Sequence, residues 1–192
     1  MANKVRFGLE KVHYALIGDD GEYETPKPLP GAVSLTLDAE GSSNTFFADN
    51  MPYVAFTSNA GYTGELELAY LEDAAAIDLL GEVKAGNGVV YEDAAALPKP
   101  FALLFEVGGN VNEKRYALYN NTAARPSKNA NTTGDSIEPD TDTLSITAIP
   151  IEVEIDGATK KVVKGSIENT TEAATVYNGW FASVTLPAAS GL

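Results

Sequence analysis

Residues 33–40 read Val33-Ser34-Leu35-Thr36-Leu37-Asp38-Ala39-Glu40. Apolar and polar side chains alternate along this stretch, and a period of two marks a strand with one buried face and one wet face. Val33, Leu35, Leu37 and Ala39 form the set predicted to meet a core, with Ser34, Thr36, Asp38 and Glu40 on the solvent side. The same alternation returns in Gly64-Glu65-Leu66-Glu67-Leu68 and in Ile151-Glu152-Val153-Glu154-Ile155. Further strands are predicted at 5–15, 53–57, 101–107, 116–119, 144–149, 160–167 and 180–186. Turn residues separate them: Gly18-Asp19-Asp20-Gly21, Gly41-Ser42-Ser43-Asn44, Asn59-Ala60-Gly61, Gly108-Gly109-Asn110 and Asp156-Gly157. Asp-Gly between two alternating runs is a strong hairpin signal.

One helix stands out. Leu71-Glu72-Asp73-Ala74-Ala75-Ala76-Ile77-Asp78-Leu79-Leu80-Gly81 carries acids in its first turn, three consecutive alanines, and a glycine where a C-terminal cap belongs. Residues 120–143 are polar with almost no large apolar side chain and read as a long loop. Residues 1–12 read as an N-terminal strand or arm, and 41–50 as a loop or hairpin tip. The fold class is mainly β with some α: a β-sandwich or partly open barrel, one flanking helix and long loops, in a single domain over 1–192.

Composition narrows the function. The chain has 192 residues, 13 Lys+Arg against 27 Asp+Glu, a net charge of −14, one His, one Trp and no Cys. A strongly acidic chain lacks the clustered cations that grip nucleic acid or an anionic membrane. Without cysteine there is no disulfide scaffold, thiol catalysis or Cys-built metal site. No apolar stretch reaches membrane-spanning or signal-peptide length, so the chain is expected to remain cytosolic after synthesis, with no membrane partner.

Catalytic chemistry finds no support. His13 sits in a strand-like run beside no nucleophile motif, and a structural histidine is the better reading. Glu65 and Glu67, two apart on a strand, are more simply one solvated face than a glycosidase pair. Gly86-Asn87-Gly88 lacks the Lys-Ser/Thr of a phosphate loop, and 135–142 lacks the glycine and closing glutamate of an EF-hand. The expectation is no enzyme, no cofactor and no metal.

The charge is unevenly placed. From Pro28 to Val83 there is no cation but nine acids, and from Asn129 to Thr159 no cation but seven acids. Acids on the wet faces of consecutive strands, without counter-charges, repel one another and cost stability. Either this is a generic soluble surface, or the strands build a negative wall whose purpose is repulsion.

Several strings, in order along nearly the whole chain, carry a family resemblance. They are Lys4-Val5-Arg6-Phe7-Gly8-Leu9 with Val12-His13-Tyr14-Ala15, Leu29-Pro30-Gly31-Ala32-Val33, and Phe47-Ala48-Asp49-Asn50 with Tyr53. Next come Gly61 to Leu68 running into the helix, Phe101-Ala102-Leu103-Leu104-Phe105-Glu106, and Arg115-Tyr116-Ala117-Leu118-Tyr119-Asn120. Arg125-Pro126-Ser127 and Asn178-Gly179-Trp180-Phe181 complete the set. In these the sequence resembles the major tail proteins of long non-contractile-tailed bacteriophages, of the phi13-like and TP901-1-like group.

The resemblance implies a structural virion protein that stacks as hexameric rings into a tail tube through which the genome leaves. It implies self as the first partner, then the tape measure protein, the tail terminator and the distal tail protein. Genomic DNA would pass through the lumen without specific binding, in a tail assembled in the host bacterial cytoplasm. On that reading Asp38, Glu40, Glu65, Glu67, Glu152 and Glu154 are expected to line the lumen. Lys4, Arg6, Asp49, Asn50 and Arg125 are expected at inter-subunit contacts. The competing reading is a stand-alone β-sandwich binding module of carbohydrate-binding or adhesin-like type, which an exposed aromatic cluster or a defined calcium site would favour.

Overall fold

A computed structural model describes residues 5, 7–109, 113–132 and 139–188. In chain order the strands are β1 (Leu9–Leu16), β2 (Lys27–Pro28), β3 (Ala32–Glu40), β4 (Ser43–Ala48), β5 (Met51–Thr57) and β6 (Gly61–Leu68). Helix α1 (Asp73–Leu80) follows, then β7 (Val83–Lys84), β8 (Val90–Tyr91), β9 (Phe101–Val107), β10 (Lys114–Ala124) and β11 (Asp142–Ala148). The chain closes with β12 (Ile151–Ile155), β13 (Ala158–Val162), β14 (Lys164–Glu168) and α2 (Ala174–Gly179).

Eight strands form one antiparallel sheet in the order β2-β1-β9-β10-β11-β6-β3, with β14 pairing β10 beside this path. The sheet curls until β1 and β3 approach each other, but no hydrogen-bonded ladder joins them, so the barrel stays open along that seam. Strands β4 with β5, β7 with β8 and β12 with β13 form three separate hairpins.

The sheet is buried on both faces over its centre. Leu66, Leu68, Leu103, Leu118, Leu144 and Ile146 meet Leu79 and Leu80 of α1 in the main core. On the reverse face Ala102, Leu104, Ala117 and Tyr119 are covered by Trp180, with Phe181, Val184, Ile151 and Val162 packed against them. Double burial explains why β9 reads as one apolar run with no alternation.

Helix α1 ends as its sequence predicts, at Gly81 with φ +78°, a left-handed cap that a side chain would strain. Its entry is fixed from outside the helix, by the Leu71 N–H donating to Asp142 Oδ2 at 2.9 Å. Tyr14 and Lys27 both reach Asp78 Oδ2, at 2.8 and 2.7 Å, and tie the helix to β1 and β2. The Asp156-Gly157 turn has both φ values positive, +53° and +72°, as a tight hairpin turn between right-twisted strands requires.

Three sequence expectations are corrected. Residues 180–186 are not a strand: Trp180 caps α2, and the segment beyond is irregular, with Trp180, Phe181 and Val184 packed on the sheet and Ala182 and Leu186 exposed. The single strand expected over 160–167 is split between β13 and β14, which pair with different partners. In β3 the register shifts between Ala32 and Ser34, so Val33 bulges outward and is exposed while Ala32 takes its place against the core. Strand β10 also runs further than the polar composition of 120–143 suggests, through Ala124, with Asn121 buried and donating to the Phe101 and Leu118 carbonyls.

Candidate functional site: an acidic sheet face and a projecting hairpin

Leu35, Leu37, Leu66, Leu144 and Ile146 turn to the main core. Their neighbours in sequence must therefore face the other way, and the register places those neighbours in rows. Thr143, Glu67 and Ser34 lie side by side across β11, β6 and β3; next come Ser145, Glu65 and Thr36, then Thr147, Thr63 and Asp38. Every carboxylate in this grid is flanked by hydroxyl side chains, and no acid stands directly opposite another. Asp38 and Glu65 stand on a diagonal, and Glu65 and Glu67 are two apart on one strand, so no two acids meet at the close spacing of a direct cross-strand pair.

Hydroxyls, not cations, hold two of these carboxylates, Glu67 and Glu40. Ser34 Oγ donates to Glu67 Oε2 at 2.9 Å and Thr141 Oγ1 to Glu67 Oε1 at 2.8 Å. Thr63 Oγ1 donates to Glu40 Oε1 at 2.7 Å. Among the described residues, Asp38, Glu40, Glu65 and Glu67 form no ion pair. An open depression of about 510 Å³ runs over the middle of the grid, lined by Thr36, Asp38, Thr63, Glu65, Ser145 and Thr147. Such a surface offers carboxylates and hydroxyls but no cation to pair with a phosphate.

Four of the six expected lumen acids are therefore brought together: Asp38, Glu40, Glu65 and Glu67. Glu152 and Glu154 lie elsewhere, on the β12–β13 hairpin, where Lys161 stands opposite Glu152 and Thr159 opposite Glu154.

Asp49 and Asn50 form the tip of the β4–β5 hairpin, with φ values of +52° and +60°. Arg125 follows directly on β10 and pairs with Glu92. Lys4 and Arg6 lie outside the described residues, as do residues 135–138 of the 135–142 segment weighed as a calcium loop. Among the described residues no group of His, Asp or Glu could hold a metal ion, and no helix is long and apolar enough to cross a membrane.

Sequence reasoning missed the character of the hairpin. Phe46, Phe47, Met51, Tyr53 and Phe56 are each more than half exposed. A bulge at Tyr53, between the pairs Phe46–Val54 and Phe47–Pro52, sets the phase. Asn44, Phe46, Ala48, Met51, Val54 and Phe56 share one face, while Ser43, Thr45, Phe47, Pro52, Ala55 and Thr57 share the other. An uncovered apolar surface of this extent marks an association surface. The available signal was the pair of aromatic-rich runs flanking Asp49-Asn50.

A family model described as phage tail tube protein matches residues 3–185. The chain belongs to that family. Among curated proteins none matches it. The tail tube protein is thus a structural component of the phage tail, a major tail protein whose copies build a tube along with other tail components. Membership gives the projecting hairpin and the open sheet edge a context, since a self-assembling chain must leave its contact surfaces uncovered.

Proposed function

We propose that this tail tube protein closes into rings of six which stack into the phage tail, with the hydroxyl–carboxylate grid facing the channel through which the genome is delivered. The observation that carries this reading is the grid itself: Asp38, Glu65 and Glu67, with Glu40 at its margin, set among threonines and serines with no cation. A phosphate passing such a wall forms no salt bridge, so DNA slides without sticking. Lys161 supplies Glu152 with a counter-charge that a repelling wall lacks, so the proposed lining is confined to the four acids of the grid and its margin.

Strand β3 is nine residues long and ends the main sheet with one side unpaired. An exposed edge of this length invites another strand, and joining edges between copies removes the hazard while building a ring. Asp49, Asn50 and Arg125, with Lys4 and Arg6, belong to the contacts between subunits in this proposal. Tape measure protein, tail terminator and distal tail protein are its further partners, met during assembly in the host bacterial cytoplasm.

Negative-stain microscopy of the purified protein across concentration and salt tests the reading. Rings or hollow tubes are expected, and salt should promote them by screening repulsion between acidic copies. Strictly monomeric particles under every condition would overturn it.

A further inference from the structure

Asparagine followed by glycine occurs at Asn87-Gly88 and at Asn178-Gly179, and the fold treats the two pairs differently. Asn87 and Gly88 are exposed in the turn over 85–89 that joins β7 to β8. The Ala85 N–H donates to the Val89 carbonyl at 2.8 Å, and the Gly88 N–H to the Ala85 carbonyl at 2.9 Å. The Val89 N–H donates to Asn87 Oδ1 at 3.2 Å. This last bond folds the Asn87 side chain forward along the chain, bringing its Cγ toward the Gly88 nitrogen and drawing electron density from that carbon. Gly88 has φ +89°, and a Cβ placed there would meet nothing within 4 Å, so the approach is uncrowded. Asn178 and Gly179 end α2 instead, where helical backbone angles hold the following nitrogen away from the side-chain carbonyl. That helix is fastened to the sheet by Trp180 Nε1, donating to the Tyr116 carbonyl at 3.2 Å, and by Arg115, donating to the Tyr177 carbonyl.

We propose that Asn87 is a site of spontaneous deamidation and isoaspartate formation in the folded protein, while Asn178 is protected. Asparagine is a thermolabile residue. The Gly88 main-chain nitrogen, after losing its proton to solvent base, attacks Asn87 Cγ. A C–N bond forms and closes a succinimide ring; the Cγ–Nδ2 bond breaks, and the amide nitrogen takes up a proton and leaves as ammonia. Water then opens the ring, at the side-chain carbonyl to give aspartate with a normal main chain, or at the main-chain carbonyl to give isoaspartate. The nitrogen must first leave the Ala85 carbonyl. A ladder of only Val83–Tyr91 and Lys84–Val90 opens readily, so that release costs little. Each event puts a carboxylate on a chain that already carries −14, and isoaspartate adds a methylene to the main chain inside the turn. The added length disrupts the bonding between Ala85 and Val89 and loosens β8, and with it Glu92, the partner of Arg125. This chemistry is independent of the tube reading.

The intact purified chain is warmed for days at neutral and at mildly alkaline pH, digested under mildly acidic conditions, and mapped by mass spectrometry. Labelling by an isoaspartyl methyltransferase counts the isoaspartate. The Asn87 peptide is expected to convert at least several-fold faster than the Asn178 peptide, and to give both aspartate and isoaspartate. The rate should rise with pH, because the attacking nitrogen must lose its proton. In urea, where turn and helix are both lost, the two sites should convert at similar rates. Asn87→Gln, whose longer side chain closes a ring far more slowly, should remove most of the methyltransferase label from the folded chain. Equal conversion of the two sites in the folded chain, an Asn87 that keeps its amide throughout, or conversion to aspartate with no isoaspartate would each overturn the proposal.

Discussion

Arg115 Nε lies 2.6 Å from Glu106 Oε2, between residues that stand directly opposite each other on β10 and β9 and are both buried. Lys11 reaches the other oxygen of Glu106 at 2.8 Å, and the Tyr177 hydroxyl approaches Oε2 at 3.3 Å. The guanidinium stacks 3.7 Å from the Tyr177 ring centroid and donates to the Tyr177 carbonyl. The pair thus fastens α2 and the segment after it to the sheet.

Removing Arg115 leaves buried Glu106 with Lys11 as its remaining cation and strips Oε2 of its charged partner. Arg115→Met is expected to destabilise the monomer by about 3–5 kcal/mol, and Tyr177→Phe by about 1 kcal/mol. Urea unfolding of the two variants against the parent measures both. A loss under 1 kcal/mol for Arg115→Met would show that the ion pair does not hold the segment.

Acid should loosen the fold through three carboxylates. Burial alone would raise the Glu106 pKa, but hydrogen bonds and charge from Lys11 and Arg115 outweigh it and hold the group below its ordinary 4.5. Asp78 and Asp142 are likewise disfavoured by burial, yet lie below 3.8, the first through Lys27 and Tyr14, the second through Lys128 and the Leu71 N–H. A lowered folded pKa means the unfolded chain binds more protons. The stabilisation is therefore complete above the unfolded values near 4 and is lost as pH falls below them. The thermal midpoint is expected to hold steady at neutral pH and drop between about pH 4.5 and 3.

Gly64 sits in β6 close against β3. A Cβ there would lie 1.9 Å from the Thr36 carbonyl oxygen, so Gly64→Ala must push β3 away from β6. A loss of about 1–3 kcal/mol is expected, and hydrogen exchange should show it concentrated in β3. Unchanged protection in β3 would contradict the close approach.

The hairpin separates stability from assembly. Phe46 and Phe56 contribute little to the monomer, so Phe46→Ser with Phe56→Ser is expected to alter its stability by no more than about 0.5 kcal/mol while abolishing tubes. Calorimetry and microscopy on one preparation check both halves. Normal tubes would remove the hairpin from the assembly interface.

Reversing charge on the grid tests its role. Asp38 and Glu65 are exposed and lie on a diagonal, so Asp38→Lys with Glu65→Lys should leave the fold intact. Repeated around and along a tube, the new phosphate contacts are expected to lower phage titre roughly tenfold or more with tails of normal length. An unchanged titre would show that DNA does not feel this surface.

Local chemistry determined much of this protein. Alternation places Leu35 and Leu37 against the core and Asp38 toward water, because side chains two apart on a strand share a face whatever the strand pairs with. Gly81 ends α1 and Asp156-Gly157 turns a hairpin because their backbone angles are set within a few residues. The cation-free stretches were equally plain in the sequence, and so was the likeness to tail proteins.

Pairing is non-local, and only the tertiary structure decided it. No pattern within β3 says that it lies beside β6, so the grid of acids and hydroxyls could not be read from either strand alone. Glu152 looks like Glu65 in sequence but faces Lys161 across a different hairpin. Glu106 is the one charge in an apolar run, and its partners Arg115, Lys11 and Tyr177 come from three separate elements. The hairpin's aromatic face and the open seam likewise depend on where the main sheet stops, which is settled by how its strands pack together.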